Sequence, residues 1–117
     1  MLLGIGRRRQ RVDSSRDSVH NYYEHMVIEQ ILRANERAND DSDFLADIAC
    51  VALNHLPPKY VRHDVDMTFF LTPDEQEEML DRVAKAVNNA VNYVLSREQE
   101  KKNWLKNEQA ADAQNDQ

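Results

Sequence analysis

Residues 47–61 read Asp47-Ile48-Ala49-Cys50-Val51-Ala52-Leu53-Asn54-His55-Leu56-Pro57-Pro58-Lys59-Tyr60-Val61, and the fold turns on this stretch. With Phe44 and Leu45 just upstream, Ile48, Ala49, Val51, Ala52 and Leu56 make a helix that is apolar around much of its circumference. Such a helix belongs at the centre of a helical domain. It starts at Asp41 or Ser42, with Asp43 favourable beside the positive helix terminus. Pro57-Pro58 ends it, because a residue before proline is pushed out of the helical region. Lys59-Tyr60-Val61-Arg62 then reads as extended.

Upstream, a helix is expected to open near Ser14–Ser18, where serines and Asp17 can cap free amides. Tyr22, Tyr23, Met26, Val27, Ile31 and Leu32 give it one apolar stripe, which fades into the polar turn Asn39-Asp40-Asp41. Downstream, Val65, Met67, Phe69 and Leu71 recur with period two, which predicts a short strand or extended segment. Thr72-Pro73-Asp74-Glu75 is a capping box that opens the last helix. Met79, Val83, Val87, Ala90, Val91 and Val94 carry its stripe. The polar residues from about 107 onward are expected to be disordered.

The chain has 117 residues, a length that fits one domain and excludes a two-domain enzyme. The net charge of −6 is unevenly placed. Residues 1–16 carry five arginines against the single Asp13, a net +4. The rest carries ten basic and twenty acidic side chains, a net −10. Only the arm suits polyanions. Both glycines, Gly4 and Gly6, lie in that arm, which excludes glycine-rich phosphate loops. The lone Cys50 excludes an internal disulfide, suggests a reducing compartment, and is read as a small buried hydrophobe. No apolar run is long enough for a membrane span, and no secretory signal opens the chain, so a cytoplasmic location is expected. No histidine or cysteine spacing supports a metal site or a catalytic arrangement; no cofactor and no enzymatic activity are expected.

Together these readings predict a mainly α domain of three to four helices, with a short extended or β segment after the Pro-Pro break. Residues 1–16 form a basic flexible arm, 17–100 the helical domain and 101–117 a charged, polar, disordered tail. A core of about 80 residues is small, and the last helix has a wide apolar stripe, so a homodimer is expected.

The block Ala52-Leu53-Asn54-His55-Leu56-Pro57-Pro58-Lys59-Tyr60-Val61, preceded by Asp47-Ile48, resembles the signature of the late-competence ComFB family. Asn21-Tyr22-Tyr23-Glu24, followed by Met26-Val27, is similar to an upstream Asn-x-x-Glu pattern in that family. The resemblance covers about residues 18–95. It implies a small, largely helical, dimeric domain without known catalytic activity, some of whose relatives are cyclic-dinucleotide receptors. Relatives often bind zinc through cysteines ahead of the Asp-Ile pair. Asp41 and Phe44 stand there in this chain, so the zinc is not carried over.

A cyclic dinucleotide offers two phosphates and two purines about a two-fold axis, which a symmetric dimer can match. Its phosphates want Arg or Lys, its purine faces Arg or Tyr, and its guanine edges Arg or Asp. Lys59, Tyr60 and Arg62 stand together on the stiff segment after the prolines, although Tyr60 also reads as a packing residue. Asn54 shares a helix face with Asp47 and can alternatively satisfy carbonyls freed by the proline. Arg7, Arg8, Arg9 and Arg11 hold an Arg-x-x-x-Arg spacing that resembles PilZ-type receptors, with Asp13 and Ser15 echoing the second half of that motif. The expected function is a non-enzymatic bacterial signalling protein that binds a cyclic dinucleotide, cyclic di-GMP before cyclic di-AMP, and passes the signal to an unknown protein partner. A protein-interaction adaptor working through the last helix and Arg97–Lys106 is the alternative. Nucleic-acid binding through the arm is disfavoured by the acidic body.

Overall fold

The computed structural model describes residues 18–115. In chain order these form β1 (His20–Asn21), α1 (Tyr23–Ala34), α2 (Arg37–Asp40), α3 (Ser42–Asn54), β2 (Tyr60–Val61), α4 (Asp64–Phe70) and α5 (Pro73–Asn115). The architecture is a mainly helical small domain: five helices among the described residues, with one two-stranded antiparallel sheet. His20 pairs with Val61 and Asn21 with Tyr60.

The central helix is where its composition places it. Asp41 caps α3 by accepting from the Phe44 amide at 3.0 Å. Phe44, Ile48, Ala49 and Ala52 are buried along it, and α3 packs against both α1 and α5. From α1 come Tyr23, Val27 and Ile31, spaced four apart; from α5 come Met79, Val83, Ala86, Val87, Ala90 and Val94. The threonine half of the capping box forms: Thr72 Oγ accepts from the Glu75 amide at 3.2 Å, and α5 starts at Pro73.

Four expectations are corrected. The helix carrying the Tyr22–Leu32 stripe opens at Tyr23, not near Ser14–Ser18. Asn21, not a serine, supplies the acceptor for its first amide, and β1 lies immediately before it. The segment Val65–Leu71 is helix α4 rather than a strand. A period-two pattern needs a partner edge, and the ladder here is only two residues long; Asp64 and Asp66 in the first turn favour a helix. Only Met67 of that helix is buried, while Phe69 and Phe70 stand 80% and 79% exposed.

The third correction concerns the end of the chain. The residues beyond about 107 continue α5 to Asn115 instead of forming a disordered tail. Gln, Glu, Lys and Ala all favour helix, and neither glycine nor proline interrupts the run. Every residue from Gln99 to Asp112 is exposed, so this half of the helix is open to solvent along its length. The radius of gyration, 21.2 Å, therefore far exceeds the about 13 Å of a compact chain of this length. Fourth, Cys50 is exposed, because it lies off the buried Ile48–Ala52 face of α3.

Arg37 marks where the covered half of α5 ends. Its guanidinium donates to both Glu98 carboxylate oxygens at 3.0 and 2.8 Å and to Asp41 at 3.3 Å, and it lies 3.9 Å from the Phe44 ring centroid. The Arg37 hydrogen bond is the main cause holding the Glu98 carboxyl below its ordinary range.

Candidate functional site

The segment after the double proline is held by one side chain. Asn21 Oδ1 accepts from the Tyr23 amide at 3.2 Å and from the Lys59 amide at 3.0 Å. The Tyr22 amide donates to the Lys59 carbonyl at 2.7 Å, which extends the β1–β2 pairing by one bond. Lys59–Val61 is thereby fastened to the start of α1 at a defined register. Nothing local in the sequence marks Asn21 for this task, because Lys59 is 38 residues away.

Beside this staple lies a hollow of about 340 Å³, lined by Pro57, Pro58 and Lys59 together with Glu75, Glu78 and Arg82 of α5. Its floor includes the buried Tyr23 and Met79. Glu75, Glu78 and Arg82 share a helix face because they are three, four and seven residues apart. Two cations thus face one opening with two carboxylates, an arrangement able to take a phosphate and the donor edge of a purine at once. Arg82, Glu75 and Glu78 were not among the sequence-derived candidates, although the capping box had already set their phase.

The sequence-derived candidates separate. Lys59 lines the hollow. Tyr60 and Arg62 do not; both are exposed, Tyr60 in β2 and Arg62 at the bend that follows it. Tyr60, 68% exposed, is not a packing residue. Asn54 is exposed and outside the hollow. It also does not close the end of α3: the His55 amide donates to Ala52, and its Nδ1 to the Val51 carbonyl at 2.8 Å. Arg7, Arg8, Arg9, Arg11 and Asp13 lie outside the described residues.

A second concavity, an open groove of about 1030 Å³, runs between α3 and α5. Asp47, Cys50 and Val51 line it from α3, and Tyr93, Arg97 and Lys101 lead along α5 to Trp104. Trp104 is 58% exposed.

At the open end of the sheet, His20 Nδ1 meets the Ser18 carbonyl at 3.0 Å and Nε2 meets Asp64 Oδ1 at 2.5 Å. His25 Nε2 lies 3.9 Å from the other Asp64 oxygen. The Asp64 hydrogen bond, followed by the Ser18 carbonyl, raises the His20 pKa above its ordinary value. Among the described residues no group of three or more His, Cys, Asp or Glu is arranged to hold a metal ion. No described helix is long and apolar enough to cross a membrane.

Comparison with known proteins finds one family, described as late competence development protein ComFB, matching residues 20–98. No curated protein and no solved structure matches. The matched span runs from β1 to Glu98, the residue that Arg37 grips, and so takes in the staple, the hollow and all of the helical core.

Proposed function

The chain belongs to the ComFB family, a competence-related regulatory family with no known catalytic activity, and from that premise we propose that it is a non-enzymatic receptor for a cyclic dinucleotide, cyclic di-GMP before cyclic di-AMP. The observation that carries this reading is the hollow that Lys59, fixed by Asn21, lines together with Arg82, Glu75 and Glu78. Lys59 and Arg82 take a phosphate; Glu75 or Glu78 accepts from a guanine edge, which adenine cannot offer in the same form. Tyr60 and Arg62, next along the same segment, offer stacking surfaces. The arginines at Arg7, Arg8, Arg9 and Arg11, with Asp13 among them, add positive charge that an otherwise acidic body lacks. Ligand capture changes what a downstream protein partner meets.

Titration calorimetry with cyclic di-GMP, cyclic di-AMP and GTP tests this. Saturable heat with cyclic di-GMP is expected, with affinity falling about tenfold or more in Lys59→Ala and in Arg82→Ala, since each removes a charge-assisted hydrogen bond. Absence of heat with all three ligands sinks the receptor reading. Unchanged affinity in Arg82→Ala moves the ligand out of the hollow. Unchanged affinity after replacing all four arm arginines with alanine removes the arm.

A homodimer completes the reading, and the α3–α5 groove is the face it uses. The groove stripe carries both signs, Arg97 and Lys101 beside Glu100, so two copies about a two-fold axis set opposite charges against each other. The uncovered helix beyond Glu98, with Trp104 and Leu105 exposed, then gains cover from the second copy. Light scattering is expected to give a dimer that Trp104→Glu converts to monomer. A monomeric wild type would instead favour the adaptor reading, in which the same groove takes a different protein.

A further inference from the structure

We propose that His20, Asp64 and the Ser18 carbonyl form a proton-operated latch that ties α4 to the sheet while His20 is cationic and loosens it when the ring is neutral. A backbone carbonyl and an ionised carboxylate both only accept hydrogen bonds. His20 places one ring nitrogen against each, at 3.0 and 2.5 Å. A neutral imidazole carries a single N–H and serves one of them; only the imidazolium serves both. The Asp64 side chain is partly open to water, and its carboxylate is the acceptor.

The charged surroundings favour that cation. Asp64 reaches His20 from α4, and Glu24 adds a favourable charge from α1. His25, also from α1, approaches the second Asp64 oxygen at 3.9 Å. Along β2, Arg62 follows Val61, the ladder partner of His20, and His63 stands between Arg62 and Asp64. Asp66, one residue beyond Val65, completes the acidic first turn of α4.

Structure says what the latch holds. Asp64 is the first residue of α4, and Met67 is the one buried side chain of that helix. With so little apolar attachment, the contact to His20 is a large share of what fixes α4 in place. The helix carries Val65, Phe69 and Phe70 on its exposed surface. The sign follows from the raised pKa of the ring. The grip is full below the ordinary histidine value of about 6.5 and is lost as pH rises through the higher folded value. In either neutral tautomer one contact goes, and the ionic part of the Asp64 bond goes with it. The latch does not depend on which ligand the Lys59 segment takes.

Two measurements on the full chain test it. Proton NMR titration is expected to give His20 a midpoint above the ordinary value, which Asp64→Asn returns toward that value. Amide exchange, corrected for intrinsic rates, is expected to show protection of Val65–Phe70 several-fold lower at pH 8.5 than at pH 5.5. His20→Gln, which keeps the ring's size roughly but cannot titrate, is expected to leave that protection low at both pH values. A His20 midpoint at or below the ordinary value, or one indifferent to Asp64→Asn, overturns the latch. Equal α4 protection on both sides of the measured midpoint also overturns it.

Discussion

Asn21→Ala is expected to loosen the ligand segment from the helical body and to abolish measurable cyclic di-GMP binding. One side-chain oxygen accepts from both the Tyr23 and Lys59 amides, so the substitution breaks two hydrogen bonds at a stroke. The Tyr23 amide is partly buried and the Lys59 amide exposed, so the lost bonds cost about 0.5–1.5 kcal/mol each, and the unfolding midpoint falls by about 4–8 °C for each kcal/mol in a domain of this size. Binding falls further than stability does, because Lys59 loses its position in the hollow with Arg82 and the segment must be ordered by the ligand. Asn21→Asp keeps an acceptor oxygen in the same place and is expected to recover most of the midpoint. Calorimetric unfolding and ligand titration read the two effects separately. If Asn21→Ala unfolds like wild type, the staple contributes nothing and the register of β1 on β2 has another source.

Ile48→Ala carries the largest expected loss of stability. Ile48 is fully enclosed in α3, the helix that touches both α1 and α5, so its cavity opens where three helices meet. Such truncations cost about 2–5 kcal/mol, a large fraction of the about 5–15 kcal/mol that holds a typical domain together. A fall of more than about 10 °C in the unfolding midpoint is expected. Leu80→Ala, on the exposed side of α5, is the matched control and should stay within about 0.5 kcal/mol of wild type. Equal effects from the two would mean that α3 is not the centre of the core.

Those two residues also show what a linear reading can and cannot supply. Ile48 was legible because a helix apolar on most sides has nowhere to go but the centre, and Pro57-Pro58 marked its end. The Thr72 capping box was legible because its acceptor and donor lie three residues apart. Asn21 was not, because its second partner is 38 residues away and nothing local distinguishes a staple from a turn. Arg82 escaped for the same reason: its relation to Lys59 exists only once α5 folds back beside the prolines. The Val65–Leu71 alternation misled because periodicity records where apolar groups fall, whereas Phe69 and Phe70 are not buried at all. The polar end of α5 misled in the opposite sense. Low hydrophobicity argues against a packed core, yet Ala, Gln and Lys in an unbroken run still favour helix.

The Arg37–Glu98 grip has a mechanical consequence. Among the described residues it is the last hydrogen-bonded tie between α5 and the rest of the body, and about 25 Å of helix extends past it to Asn115. The extension therefore behaves as a lever with its fulcrum at Glu98. A tilt of about 5° there, too slight to disturb the packing of Val87 or Ala90, carries the far tip about 2 Å. Whatever grasps that tip senses an amplified copy of small rearrangements in the core.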